Sequence, residues 1–207
     1  MQVDLEQFDE ILSTARSVRR KLDFERPVER QVLFDCIDVA VQAPTGLGGE
    51  NWRFVVVDEP SPKTALARLY SEVLLEIMAA RNLPMKPTHQ ALIDRMHEIP
   101  AMIFVCVDGE PLDDGVSSQV GFYGSILPAA WSLMLALRAR GIGTTWTSLL
   151  SARQQEVRDV LNMPSETLQT VMLPVAYTKG ANLKRADRLP AQSVTYFNGW
   201  GNLQGES

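Results

Sequence analysis

The chain has 207 residues, 45% of them hydrophobic and 22% charged, with a formal net charge of -5. That is long enough to close a core around a small-molecule pocket, and a single domain over 1–207 is the expected organisation. The composition excludes a disordered chain, and the acidic balance argues against a general role on nucleic acid or a membrane surface, where basic patches are needed.

Leu5, Phe8, Ile11, Leu12 and Ala15 recur at helical spacing and predict a first helix ending beside a basic cluster, Arg16 to Lys21. After Pro27, the stripe Val28, Val32, Leu33, Cys36, Ile37 and Ala40 predicts a second helix that stops at Ala43-Pro44. Gly46, Gly48 and Gly49 make a loop, and Trp52 to Val57 reads as a buried strand ended by Asp58-Glu59-Pro60. A helix is expected from Pro62 to about Arg81. Asn82 to Pro100 is then a polar, proline-interrupted excursion with a short helical piece, the kind of segment that forms a mobile cover over a site.

Ala101 to Val107 predicts a second core strand. From Ser117 to Arg140 the chain is apolar nearly all round, which predicts one long helix buried on every side and favours sharing between two subunits over burial in a monomer. Gly141-Ile142-Gly143 ends it, Thr144 to Thr147 is β-prone, Val157 to Leu161 closes another helix, and Leu168 to Thr178 reads as a strand. The tail from Gly180 to Ser207, with Tyr196, Phe197 and Trp200, is too apolar to float free and is expected to dock on the other subunit. Strict βαβ alternation is absent, so an α+β fold with a mainly antiparallel or mixed central sheet flanked by helices is expected.

Cys36 and Cys106 both lie in apolar runs and read as buried thiols rather than a disulfide or redox pair. His89 and His97 have no partners at metal-ligand spacing, so metal-free chemistry is expected. The first residues carry no basic or apolar leader pattern, and no uninterrupted apolar stretch reaches the ~18 residues of a membrane span. A cytoplasmic protein is expected.

Four constellations bear on chemistry. Arg16-Ser17-Val18-Arg19 sets two guanidinium groups and a hydroxyl within one turn, a donor set suited to a phosphate monoester, although a basic run at a helix end is more often a solvated dipole contact. Ala43 to Trp52 is a glycine-rich loop between helix and strand, where backbone can approach a flat ligand. It carries neither a GxGxxG fingerprint nor a GKS or GKT phosphate loop. Gly141 to Ser148 is a glycine turn feeding a run of hydroxyls that can reach a heteroaromatic nitrogen or can be simple β-propensity. Lys184-Arg185, with Arg188 beyond, is a second basic group far off in sequence.

In this order the four constellations resemble the FMN-dependent nitroreductase family, whose members open with Arg-Ser-x-Arg, continue with an Ala-Pro-Ser-x-x-Asn-x-Gln-Pro-Trp loop, and carry a long apolar helix ending in Gly-x-Gly-Thr and a late Lys-Arg pair. The resemblance spans about Arg16 to Trp200. It implies that Arg16, Ser17 and Arg19, joined by Lys184 and Arg185, hold the phosphate and ribityl end or the pyrimidine edge of FMN. Pro44, Thr45 and Gly46 would line the isoalloxazine, commonly from the neighbouring subunit. Thr145, Trp146, Thr147 and Ser148 would approach the flavin N5 edge, with Thr147 or Ser148 as hydroxyl donor.

The resemblance further implies a homodimer that uses NADH or NADPH in a ping-pong cycle to reduce nitroaromatics, quinones or related electron-poor small molecules. The cofactor performs the redox chemistry, so no protein nucleophile is expected. Alternatives within the fold are reductive dehalogenation or flavin fragmentation, and a low-turnover flavin-sequestering protein. Departures from the family pattern are Ala15 in place of an additional Arg, Gly48 in place of Asn, and Glu50-Asn51 in place of Gln-Pro before Trp52.

Overall fold

The computed structural model describes residues 4–46 and 49–202. Its centre is a four-stranded antiparallel sheet of order β1-β2-β4-β3, formed by Trp52–Val57 (β1), Ala101–Asp108 (β2), Ile142–Thr144 (β3) and Thr167–Tyr177 (β4). The fold is α+β, as the sequence pattern indicates. Seven α-helices are described around the sheet: Leu5–Thr14 (α1), Arg30–Ala40 (α2), Pro60–Ala80 (α3), Pro87–Arg95 (α4), Val116–Gly124 (α5), Leu127–Ala139 (α6) and Gln154–Leu161 (α7).

Both faces of the sheet are covered. Ala101, Ile103, Val105 and Val107 of β2 pack with Leu33, Cys36 and Ala40 of α2 and with Leu133 and Leu137 of α6. The alternate residues Met102, Phe104 and Cys106 pack on the opposite face with Leu66, Tyr70 and Leu74 of α3 and Val157 of α7. A strand buried on both faces reads as a continuous apolar run, which is the pattern of β2. The two cysteines lie in different cores on opposite sides of the sheet, both free.

The pairing of β2 with β4 slips between Val105 and Cys106, which face Val171 and Gln169 and leave Thr170 as the extra residue. The Thr170 hydroxyl donates to the Val105 carbonyl at 2.8 Å, satisfying an acceptor the bulge would strand. Side-chain parity switches here, so that Leu168 before the bulge and Val171, Leu173 and Val175 after it all pack on the α2/α6 side.

One expectation about the long apolar segment is corrected. It is broken at Ser125–Ile126 into α5 and α6, because Pro128 lacks an amide hydrogen and its ring opposes the preceding turn. Within one chain the burial of the segment is partial. α6 buries Ala129, Ala130, Leu133, Met134, Ala136 and Leu137, whereas α5 buries no residue and Val116, Val120 and Trp131 are exposed. The 24 residues of Val116–Ala139, which include an 18-residue window with a mean hydropathy of 1.5, are long and apolar enough by length and composition to cross a bilayer. The inward face of α6 is occupied by the sheet.

The remaining boundaries differ by small steps. α2 starts at Arg30, α3 starts at Pro60, and the strand expected from Thr144 begins at Ile142. The excursion from Asn82 to Pro100 is pinned in its second half by the buried side chains of Leu92, Met96 and Ile99, and its first half lies on the surface.

Candidate functional site

The basic segment is laid along the free edge of β3. α1 ends at Thr14, with Ala15 turning to extended backbone, and Val18 then donates its N–H to the Thr144 carbonyl at 2.8 Å. Ser17 and Thr144 form a parallel bridge, Leu22 and Thr178 an antiparallel one, and Asp23 donates to the Tyr177 carbonyl at 2.7 Å. Val18 and Leu22 are buried against Ala176, which leaves the flanking Ser17 and Arg19 facing the other way. This close approach explains Gly143. A Cβ there would sit 2.9 Å from Thr178 Cγ2 and 3.1 Å from both Val18 Cβ and Leu22 Cδ2.

Beside this edge lies a cavity of about 820 Å³ lined by Arg16, Ser17, Arg19, Arg185 and Arg188, with Leu12, Ser13, Ala15, Ala186, Trp131, Met134 and Trp146 completing the wall. Residues 169 positions apart, Arg16 and Arg185, thus meet in one cavity, as the sequence pattern requires of a shared anion. The lining holds four arginines and no carboxylate, and the Nε of Arg19 is buried with no hydrogen-bond partner among the described residues. Four guanidinium groups with no counter-carboxylate in the wall call for an anion, and Trp131, Met134 and Trp146 offer an apolar wall for a flat ring. These features fit FMN, whose phosphate is a dianion and whose ring system is planar.

Two tethers fix the basic groups. Arg16 Nη1 donates to the Lys184 carbonyl at 3.5 Å, and Arg185 Nε donates to Ser13 Oγ at 3.1 Å. Lys184 therefore contributes its backbone to this cluster, and Arg188, not Lys184, joins Arg185 in the cavity wall.

The hydroxyl run divides by position. Thr145 is fully buried and donates to the Val18 carbonyl at 2.9 Å, so its side chain ties the basic segment to the end of β3. Thr147 pairs backbone to backbone with Met172, accepting from its N–H at 2.8 Å, and its buried hydroxyl accepts from Leu149 N–H at 3.4 Å. Burial pushes the Tyr70 phenol up, with the Arg19 charge acting the other way. Ser148 is exposed and lines a second cavity of about 370 Å³ at the β4 bulge. Trp146 is the wall common to both cavities.

Pro44, Thr45 and Gly46 are not brought to the arginine-lined cavity within one chain. Gly46 N–H donates to Ser125 Oγ at 2.9 Å, and the Thr45 hydroxyl donates to the Gly46 and Gly49 carbonyls, both at 3.1 Å. The loop thus sits at the α5–α6 break. Gly48, where the family carries Asn, lies outside the described residues. Asn51 continues the β1–β2 pairing, donating Nδ2 to the Asp108 carbonyl at 3.1 Å and accepting from Asp108 N–H at 2.8 Å.

Above the basic segment, Thr88 near the start of α4 shares a smaller cavity with Ser17, Arg19 and Lys21. His89 follows, half-buried, with Nδ1 unpartnered among the described residues. Burial, then the charges of Arg19 and Lys86, hold its imidazole below the usual histidine range. Trp131, Met134 and Ser13 carried no chemical motif in the sequence. The only signal for Trp131 was a large aromatic on a helix whose outward face has no partner in one chain.

The match to the Nitroreductase family model runs over residues 3–177, and the chain belongs to that family. It is 27% identical over 179 residues to iodotyrosine deiodinase of Drosophila melanogaster, covering 82% of this chain and 62% of that protein, so the chain spans less than two thirds of this relative's length. Among solved structures it is similar to NADPH:FMN oxidoreductase of Vibrio harveyi complexed with NAD+ (TM-score 0.71, 16% identity, 94% of this chain and 78% of the other). It is also similar to an oxidised iodotyrosine deiodinase bound to FMN and 3-iodo-L-tyrosine (TM-score 0.65, 20% identity, 90% and 98%). At these identities the structures establish a shared fold.

Proposed function

We propose that residues 1–207 form a single FMN-binding domain that works as a homodimeric oxidoreductase, taking electrons from NADH or NADPH and passing them to electron-poor small molecules such as nitroaromatics or quinones. The observation that carries the reading is the arginine-lined cavity without a carboxylate among its lining, beside which Arg19 Nε is buried and has no partner among the described residues. Arg16, Arg185 and Arg188 would neutralise the phosphate, the Ser17 hydroxyl would donate to it, and Arg19 would face the pyrimidine edge. When bound, FMN supplies a redox centre that a nicotinamide can reduce and an acceptor reoxidise.

The chain's own residues bind and orient. Thr145 holds the Arg16–Arg19 segment on the sheet, Trp146 walls the ring, and Ser148, exposed where Thr147 is buried, is the hydroxyl that would meet the N5 edge. Positive charge at the pyrimidine would favour the anionic reduced flavin. The dimer is supported by the exposed apolar side chains of Leu5 and Phe8 in α1, Val116 and Val120 in α5, and Trp200 in the tail. In such a dimer Pro44, Thr45 and Gly46 would line the partner subunit's isoalloxazine.

Reductive dehalogenation of an aromatic substrate is the second reading, favoured by the 27% identity to a deiodinase. The test is the visible spectrum of the purified protein, followed by anaerobic NADH or NADPH. A yellow protein that bleaches and recolours with a quinone supports reduction of such acceptors. Bleaching that only dithionite achieves, with halide release from an iodophenol, supports the second reading. Colourless protein that takes up no added FMN overturns both.

A further inference from the structure

The smaller cavity between the basic segment and the start of α4, of about 270 Å³, has Arg19, Arg20, Lys21, Ser17, Thr88 and Asn182 in its wall and no Asp or Glu among its described lining residues. Ser17 and Arg19 are common to this cavity and the larger arginine-lined one. Arg20, Lys21, Thr88 and Asn182 line this one and not the larger.

The cations are not neutralised within the chain. Among the described residues Arg19, Arg20 and Lys21 make no ion pair, and the carboxylates that follow them, Asp23 and Glu25, pair with Lys179 instead, at 3.0 and 3.2 Å. The positive field reaches His89, beside Thr88, whose imidazole is held below the usual histidine range by burial and then by the charges of Arg19 and Lys86. The wall is also tied in place. Lys21 takes a left-handed backbone (φ 59°), uncommon outside glycine, and meets the left-handed Gly180 (φ 60°) through two bonds. Lys21 Nζ donates to the Gly180 carbonyl at 3.3 Å, and Lys179 N–H donates to the Lys21 carbonyl at 2.8 Å. An ammonium has three donors, so two remain for a ligand.

Uncompensated cations beside hydroxyl and amide donors suit a dianion with several acceptor oxygens better than a carboxylate, which carries one charge on two oxygens. FMN has a single phosphate, which Arg16, Arg185 and Arg188 would hold. We propose that the smaller cavity is a second phosphate-binding site, formed by Arg20, Lys21 and Thr88, for the phosphate group of a ligand other than the flavin. Only the statement that this phosphate is not the flavin's rests on the flavin reading; binding through Arg20 does not.

The test is calorimetric titration of the FMN-loaded protein with inorganic phosphate at an ionic strength held constant with sodium chloride, so that simple screening is the same throughout. Visible absorbance records the loading. One phosphate should bind per chain, at least about tenfold more tightly than acetate. Arg20→Gln, at an exposed position, should lose at least about tenfold of the phosphate affinity and keep FMN affinity within about twofold of the wild type. AMP separates the two sources of such a group: binding tighter than phosphate assigns the site to a nucleotide, and weaker binding assigns it to free phosphate. Loaded protein that takes no phosphate, or takes acetate equally well, overturns the proposal. So does an Arg20→Gln protein that binds phosphate as before. Phosphate that binds only the unloaded protein and is displaced by FMN would make the two cavities one site, and also overturns it. Protein that takes up no FMN but binds phosphate through Arg20 leaves this site standing and removes the flavin reading.

Discussion

The buried hydroxyl of Thr145 donates to the carbonyl of Val18 at 2.9 Å, joining the end of β3 to the segment that carries Arg16, Ser17 and Arg19. Thr145→Val keeps the shape and removes the donor, leaving a buried carbonyl unpaired. The expected cost is about 1–3 kcal/mol of stability. FMN affinity should fall further than that of a destabilised core variant, because the arginines lose their anchor. Thermal melts and FMN titration, run beside Leu133→Ala as the core control, check this. Equal FMN affinity in the two variants would sink the anchoring role.

Arg16 and Arg185 reach one cavity from opposite ends of the chain. Arg16→Ala and Arg185→Ala should each weaken FMN by about tenfold or more, the cost of losing a charge-assisted hydrogen bond, and weaken riboflavin far less, since riboflavin lacks the phosphate. Flavin fluorescence quenching measures both ligands. Parallel losses for FMN and riboflavin would place the phosphate elsewhere.

Gly143→Ala should destabilise by about 1–3 kcal/mol, because the new methyl meets Val18, Leu22 and Thr178 and must push the basic segment off the sheet edge. Gly121→Ala, where an added Cβ meets nothing within 4 Å, is the matched control and should be neutral or stabilising. Urea unfolding midpoints compare the two.

His89 titrates below the usual histidine range through burial and the charges of Arg19 and Lys86. For a base whose folded-state pKa is depressed, the unfolded chain binds the proton first as pH falls. Stability contributed by neutral His89 is therefore fully present above the unfolded value of about 6.5 and declines as pH drops through it toward the folded value. His89→Gln should flatten the dependence of Tm on pH between about 7.5 and 5.5. An unchanged slope would assign the pH dependence to other groups.

Cys106 has its thiol pushed up to about 12 by burial, and Cys36 is raised for the same reason. Neither should react with iodoacetamide at neutral pH in the native protein, because the thiolate is the nucleophile. Both should react in urea. Mass spectrometry of the alkylated protein counts them directly, and a singly labelled native protein would mean that one of the cores opens.

Much of this architecture follows from sequence alone. The alternation of Met102, Phe104 and Cys106 with Ile103, Val105 and Val107 dictates a strand buried on both faces, and Arg16-Ser17-Val18-Arg19 together with Lys184-Arg185 carries the resemblance to an FMN-binding family. Those features are legible because they rest on local periodicity and on residue types whose chemistry is narrow. Only the tertiary structure decided that Arg188 rather than Lys184 lines the cavity, that Thr145 is a tether while Ser148 stays free, and that Pro128 breaks the long helix. It alone placed Gln169, an unremarkable polar residue within a strand, as a buried amide at a bulge, unpaired among the described residues. The physical reason is that periodicity sets which face a residue takes, whereas hydrogen-bond partners and cavity walls depend on segments brought together from distant parts of the chain.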